Sequence, residues 1–245
     1  MILEESFIFF PSRYPEGEWN PVELDFEDVH FKSDDGVCLH GWYVPHDDPR
    51  AVILFSHGNG GNLSHRAEAA HVLNEYVGAS VMLYDYRGYG RSEGRPNERG
   101  ILEDARAARR WLAQRAGIDP EDVVLAGRSL GGAVAVDLAQ DGTRGLVLES
   151  TFTSIPEMAS IHYPWLPFRR LIRNRFDSES KIGAYKGPLL QSHGTSDRIV
   201  PFDVGRRLHE AANAPKQFFV IEDGDHNDPQ PLEFYDTLVE FLDNY

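Results

Sequence analysis

Val123-Val124-Leu125-Ala126-Gly127-Arg128-Ser129-Leu130-Gly131-Gly132-Ala133-Val134-Ala135-Val136-Asp137-Leu138-Ala139 is the stretch whose reading decides the fold. Its first four residues form a short continuous apolar run, as a strand buried on both faces requires. Its last seven read as a helix. Between them, Gly127 and Gly131 stand two residues either side of Ser129, the Gly-x-Ser-x-Gly pattern of a nucleophile elbow. A serine on so tight a strand-to-helix turn is strained, and small flanking residues prevent clashes with neighbouring elements. The plainer alternative is a Gly-rich turn whose serine caps the helix. That alternative leaves the remaining features unexplained.

Outward from this stretch, short apolar runs alternate with amphipathic segments. Apolar runs at 51–55, 79–84, 123–126, 145–148, 188–191 and 217–221 read as strands. Segments 63–76, 97–116 and 130–140 read as helices, and a last helix is expected from Pro229, capped by Asp228. Before them, alternating runs at 26–32 and 37–44 flank Ser33-Asp34-Asp35-Gly36, where Asp-Gly signals a hairpin with a primed turn. The pattern predicts an α/β fold: a mainly parallel eight-stranded sheet covered by helices on both faces, with antiparallel strands at one edge. Residues 152–186, rich in Pro, aromatics and Arg, interrupt the alternation and read as a lid inserted over the sheet's C-terminal edge.

Two more residues complete a reactive set in the chain order nucleophile, acid, base. Asp197 follows the seventh strand in Gly194-Thr195-Ser196-Asp197-Arg198, and His226 follows the eighth in Gly224-Asp225-His226-Asn227-Asp228. A neutral hydroxyl is a weak nucleophile, so Ser129 needs His226 as base, and His226 needs Asp197 to hold its tautomer. Of ten histidines, His57 and His193 also lie near strand ends, and both are read as structural. Asp197 is favoured as the acid over Glu149, Asp203, Asp223 and Asp225 by its place after the seventh strand. Two backbone N–H groups must face the developing oxyanion. Leu130 offers one at a helix N-terminus, and Asn59, in the turn Ser56-His57-Gly58-Asn59-Gly60-Gly61-Asn62, offers the other, with Gly58 giving that turn its freedom. The same turn lacks the Lys and spacing of a phosphate loop.

Length and composition bound the rest. The chain has 245 residues, 41% of them hydrophobic, with no repeat or linker, which suits one domain over residues 1–245. A net charge of −15, from 24 basic and 39 acidic residues, argues against nucleic acid and against electrostatic docking on an anionic membrane. The single cysteine, Cys38, precludes an intramolecular disulfide and reads as a small buried hydrophobe. No run has the length of a transmembrane helix, and the first residues lack the basic and small-residue features of a signal peptide. The expected location is the cytoplasm, with no stable membrane anchor. The cluster Phe7-Ile8-Phe9-Phe10 is expected to pack across the sheet rather than touch a bilayer.

Taken with Tyr84-Asp85-Tyr86-Arg87-Gly88-Tyr89-Gly90-Arg91-Ser92 and His193-Gly194-Thr195-Ser196-Asp197-Arg198-Ile199-Val200-Pro201, these motifs closely resemble the small single-domain serine hydrolases of the α/β-hydrolase superfamily. The resemblance spans nearly the whole chain. It implies the α/β-hydrolase fold, no cofactor, and acyl transfer from a small-molecule ester or thioester to water through an acyl-enzyme. Relatives of this subgroup include palmitoyl-thioesterases, carboxylesterases and lysophospholipases. Many carry a membrane helix or Cys-rich segment before their Phe-Phe-Pro motif, whereas eight residues precede Phe9 here and none is Cys. An aminopeptidase-like amide hydrolase and a non-catalytic binding module are the alternatives, and a serine nucleophile argues against dehalogenase and epoxide-hydrolase chemistry. Tyr163, Trp165 and Phe168 of the lid are candidate acyl-pocket residues.

Overall fold

The computed structural model describes residues 2–165 and 172–245. One sheet of eight strands organises them: β1 (Glu27–Lys32), β2 (Cys38–Val44), β3 (Ala51–Ser56), β4 (Ala79–Tyr84), β5 (Val124–Arg128), β6 (Leu146–Glu149), β7 (Leu189–Gly194) and β8 (Lys216–Ile221). Their order is β1-β2-β4-β3-β5-β6-β7-β8. β2 runs antiparallel to both neighbours, and the remaining pairs are parallel. The helices are α1 (Ile2–Ile8), α2 (Ala67–Glu75), α3 (Glu98–Ala116), α4 (Leu130–Leu138), α5 (Ile155–His162), α6 (Ser178–Ile182), α7 (Phe202–Ala211) and α8 (Leu232–Asn244).

Successive residues of a strand face opposite ways, and here both directions lead into apolar layers. Ile53, Val81, Val124 and Leu190 meet Leu73 of α2 and Phe234 and Leu238 of α8. Leu54, Met82, Leu125 and Leu189 meet Ile101 of α3, Val134 of α4 and Leu208 of α7. Burial on both faces explains why these strands read as unbroken apolar runs.

The chain leaves β3 towards β4 and leaves β5 towards β6, on opposite sides of the β3–β5 pair. The connections after β3 and β5 therefore diverge and open a crevice beyond the strands' C-terminal ends, the usual ligand site of open α/β sheets. Ser56 and Gly127 are Cα partners at the end of this pair. The turn carrying Asn59 and the turn carrying Ser129 thus face each other across the crevice.

Four expectations are corrected. The 33–37 connection has positive φ only at Gly36, and Gly36 N donates to Ser33 O at 2.9 Å. A two-residue primed turn needs positive φ at its first central residue, and no such residue is found here. α8 begins at Leu232 rather than at Pro229, because Asp228 is committed elsewhere: its Oδ2 accepts from Asp225 N at 2.8 Å. Only part of the Phe7–Phe10 cluster packs on the sheet: Phe9 lies in the core layer of one face, with Ile8 against it. Phe9 alone is buried, edge-on to Phe176, while Phe7 and Phe10 are exposed and Phe10–Pro11 pairs in parallel with Gly60–Gly61. Gly58, finally, has no positive φ; a Cβ there would hang 3.8 Å from Ser129 Cβ, so it keeps space open above the serine.

The described parts of the 152–186 insertion are α5, α6 and the chain joining them to the body. Ile155 N donates to Arg175 O and Ser178 N to Thr153 O, each at 2.8 Å, drawing its two ends together. Among the described residues no helix is long and apolar enough to cross a membrane.

Candidate active site

Ser129 sits at φ 54° and ψ −114°, a conformation that non-glycine residues adopt only when their surroundings impose it. The surroundings are explicit. A Cβ on Gly127 would fall 2.2 Å from Gly131 O, and one on Gly131 would fall 1.9 Å from Ser56 O. Only glycine at both places lets β5 turn directly into α4 against the end of β3. Ser129 N donates to Glu149 O at 2.8 Å, which fastens the turn to β6. Among the described residues Ser129 Oγ has no hydrogen-bond partner.

Asp197 and His226 are brought together. His226 Nδ1 lies 2.8 Å from Asp197 Oδ2, and both residues are buried. Asp197 Oδ1 accepts from Ile199 N at 2.9 Å and Val200 N at 2.8 Å. Burial alone would raise the Asp197 pKa. Hydrogen bonds from His193 and His226, with that from Val200 N, outweigh it and hold the carboxyl well below the usual range. Its anionic form is thus maintained beside the imidazole. His226 Nε2 has no hydrogen-bond partner among the described residues.

Three contacts here carry no signature in the sequence. His193 Nε2 donates to Val200 O at 2.8 Å, the local role expected of it, but also lies 3.3 Å from Asp197 Oδ2. Arg128 Nη2 donates to Asp228 O at 2.8 Å and to His226 O. Arg198 grips Asp225, which also accepts from His226 N at 2.8 Å. The motif leaves the residue before Ser129 unspecified, so only the fold reveals what Arg128 does.

The loop after β3 presents its other candidate. Asn59 turns its side chain away from the crevice: Nδ2 donates to Ile8 O at 2.5 Å and Oδ1 accepts from Tyr89 Oη at 2.9 Å. The backbone N–H groups of Asn59 and Leu130 have no acceptor among the described residues. His57 is buried, its Nδ1 2.7 Å from Gly58 O and its Nε2 3.6 Å from Asp85 Oδ1, as a structural residue would be. Glu149, the alternative acid, is buried beside Arg128; burial raises its pKa although Arg128 and Arg66 pull against it. The hydrogen bond to His226 comes from Asp197 instead.

The lid candidates Tyr163 and Trp165 follow α5, whose His162 Nε2 lies 2.7 Å from Ile199 O. Tyr163 and Trp165 are 52% and 72% exposed and pack edge-on against each other at 5.8 Å. Phe168 lies outside the described residues. An open cavity of about 790 Å³ is lined by Glu4, Glu98, Arg106, Arg173 and Asn174, away from the nucleophile and base. Among the described residues no group of three or more His, Cys, Asp or Glu side chains could hold a metal ion.

Acidification gives a first test of this electrostatic arrangement. Hydrogen bonds from Arg198 and from His226 N lower the Asp225 pKa to about 2. A carboxyl depressed on folding adds stability above its unfolded pKa, about 3.9, and loses it as pH falls towards the folded value. Asp197 acts with the same sign. Thermal midpoints should fall as pH drops from 5 to 2, and Asp225→Asn should flatten part of that fall. A pH-independent midpoint would contradict the depressed values.

The family model described as "Serine aminopeptidase, S33" matches residues 47–178, which include Ser129 but neither Asp197 nor His226. The chain is 43% identical over 245 residues to "Uncharacterized protein Rv2307c" of Mycobacterium tuberculosis, covering 98% of this chain and 87% of that protein. It is 33% identical to "Alpha/beta hydrolase domain-containing protein WAV2" of Arabidopsis thaliana, over 99% of this chain and 84% of the other. Among solved structures, the Pyrococcus furiosus esterase Pf2001 superposes with a TM-score of 0.78 at 21% identity, covering 97% and 98% of the two chains. With its strand order, its diverging crevice and these relatives together, the chain belongs to the α/β-hydrolase superfamily.

Proposed function

We propose that the protein is a serine hydrolase that cleaves carboxylic ester or thioester bonds through an acyl-enzyme on Ser129. The observation that carries this reading is the 2.8 Å hydrogen bond between Asp197 Oδ2 and His226 Nδ1, in a chain whose Ser129 stands on a strained strand-to-helix turn. The Asp197 carboxylate holds the proton on Nδ1, so Nε2 is the basic nitrogen. Ser129 Oγ forms a bond to the acyl carbonyl carbon while its proton passes to Nε2. The carbonyl oxygen becomes an oxyanion, which the N–H groups of Leu130 and Asn59 receive. Collapse breaks the bond to the leaving oxygen or sulfur, which takes the proton back from His226. Water then repeats the sequence on the acyl-enzyme and releases the carboxylic acid. The esterase described for Pyrococcus furiosus adds support for ester substrates.

Tyr163 and Trp165 are exposed, and the reading is of short acyl groups. A series of p-nitrophenyl esters should therefore give its highest kcat/KM at short chain lengths. A monotonic rise to long chains would overturn that preference and point to lipid substrates. Matched thioesters and amides belong in the same assay. Amides turned over faster than esters would move the reading to aminopeptidase-like chemistry.

A further inference from the structure

Asp197 fixes which way the His226 ring faces, yet it sits on the β7 side and says nothing about how far that ring stands from Ser129. A second hold on the same loop comes from the nucleophile's side. Arg128 ends β5, one peptide bond from Ser129, and its Nη2 donates both to His226 O and, at 2.8 Å, to Asp228 O. The loop it grips is itself closed: Asp228 N donates to Asp225 O at 3.2 Å, and Asp228 Oδ2 accepts from Asp225 N at 2.8 Å. On the other side Ser196 N donates to Gly224 O at 3.0 Å. A rigid turn is therefore pinned at both ends, to the acid's loop and to the residue before the nucleophile.

Arg128 and Glu149 are Cα partners across β5 and β6, and Glu149 is buried with Arg66 as the other cation near it. Burial raises the Glu149 pKa against the pull of both arginines, and Glu149 makes no bond to the imidazole. Its partner across the strands is the arginine that holds the base.

We propose that Arg128 is a positioning residue that sets the separation of His226 from Ser129. This rests on the reading of Ser129 as nucleophile and His226 as base. Arginine suits the task because the two N–H bonds of one rigidly held, planar Nη2 reach two carbonyl oxygens, whereas lysine carries its charge on a flexible stem. Arg128 does not touch the acyl group, so its loss should act on kcat and leave KM little changed.

The test is the rate of covalent labelling by a fluorophosphonate, with ester turnover alongside, in folded wild type, Arg128→Ala and Arg128→Lys. A misplaced base by about 1 Å should slow Arg128→Ala about 100-fold, with KM within a factor of about two of wild type. Millimolar guanidinium chloride should restore the Ala variant at least about tenfold without accelerating wild type, by refilling the vacated fork site. Arg128→Lys should keep one carbonyl contact and lose no more than about tenfold. Circular dichroism and melting midpoints would establish that each variant is folded, and the Lys variant carries the test if the Ala variant is not. Labelling of folded Arg128→Ala within about threefold of wild type would overturn the proposal. So would slow labelling that neither guanidinium nor lysine restores, since that is the behaviour of a merely structural residue. A wild type that does not label would overturn the nucleophile reading and this proposal with it. A wild type that labels beside an indifferent Arg128→Ala would overturn this proposal alone.

Discussion

Ser129→Ala is expected to abolish fluorophosphonate labelling and to lower kcat for any ester the protein cleaves by roughly a million-fold. The size follows from the way the three side chains act as one unit. Without Oγ there is no acyl-enzyme, and His226 has no hydroxyl to deprotonate. What survives is the contribution of the oxyanion donors and of substrate binding, roughly a thousand-fold over water. His226→Ala should come close to the serine variant in effect, because a neutral hydroxyl without a base is a weak nucleophile. Asp197→Asn should cost about ten thousand-fold, since an amide facing Nδ1 favours the wrong tautomer. The depressed Asp197 pKa makes the same point: the acid is a permanent anion at working pH, and its replacement removes a charge as well as an acceptor. Labelled Ser129→Ala protein, or Asp197→Asn within about tenfold of wild type, would contradict the assignment.

Gly131→Ala is expected to have the largest effect on folding. Its Cβ would fall 1.9 Å from Ser56 O and 2.6 Å from His57 O, and both are backbone atoms of the β3 end and the turn after it. No rotamer change relieves such a contact, so α4 must move away from β3 or the elbow must open. The cost should be about 4 kcal/mol or more, in the exceptional range for a single substitution. Urea or thermal unfolding would measure it. Gly60→Ala is the natural control, because a Cβ there meets nothing within 4 Å and the residue has no positive φ. It should change stability by no more than about 0.5 kcal/mol. Similar stability for the two variants would mean that the strained turn is not enforced by close approach.

Much of this was legible in the sequence because local chemistry and global fold agree. A strand buried on both faces must be largely apolar, and the runs at 51–55, 79–84, 123–126 and 145–148 are, so the number and order of these strands could be read directly. The Gly-x-Ser-x-Gly turn needs small residues at fixed offsets, so the elbow shows itself in six residues. Asp197 and His226 could be placed because each follows a strand at the edge where Ser129 stands. Helix ends were less legible. Asp228 looks like a cap for α8, but its carboxylate serves the His226 loop and the helix starts later. The phenylalanine cluster near the N-terminus was partly misplaced for a related reason. Hydrophobicity tells that Phe9 needs cover, not that Phe176 provides it while Phe10 stays exposed.

The sequence by itself determined the layer architecture, the elbow and the identity of the candidate nucleophile and base, because periodicity, glycine spacing and place along the chain are local properties. Only the tertiary structure decided which carboxylate meets His226, since Asp197, Glu149 and Asp225 all lie near strand ends and differ in where their side chains are aimed. It also decided that Arg128, in the motif's unspecified position, ties the nucleophile's strand to the base's loop. Such a contact joins residues far apart in the chain through a long side chain and two backbone carbonyls, and backbone carbonyls carry no residue identity for a sequence to display.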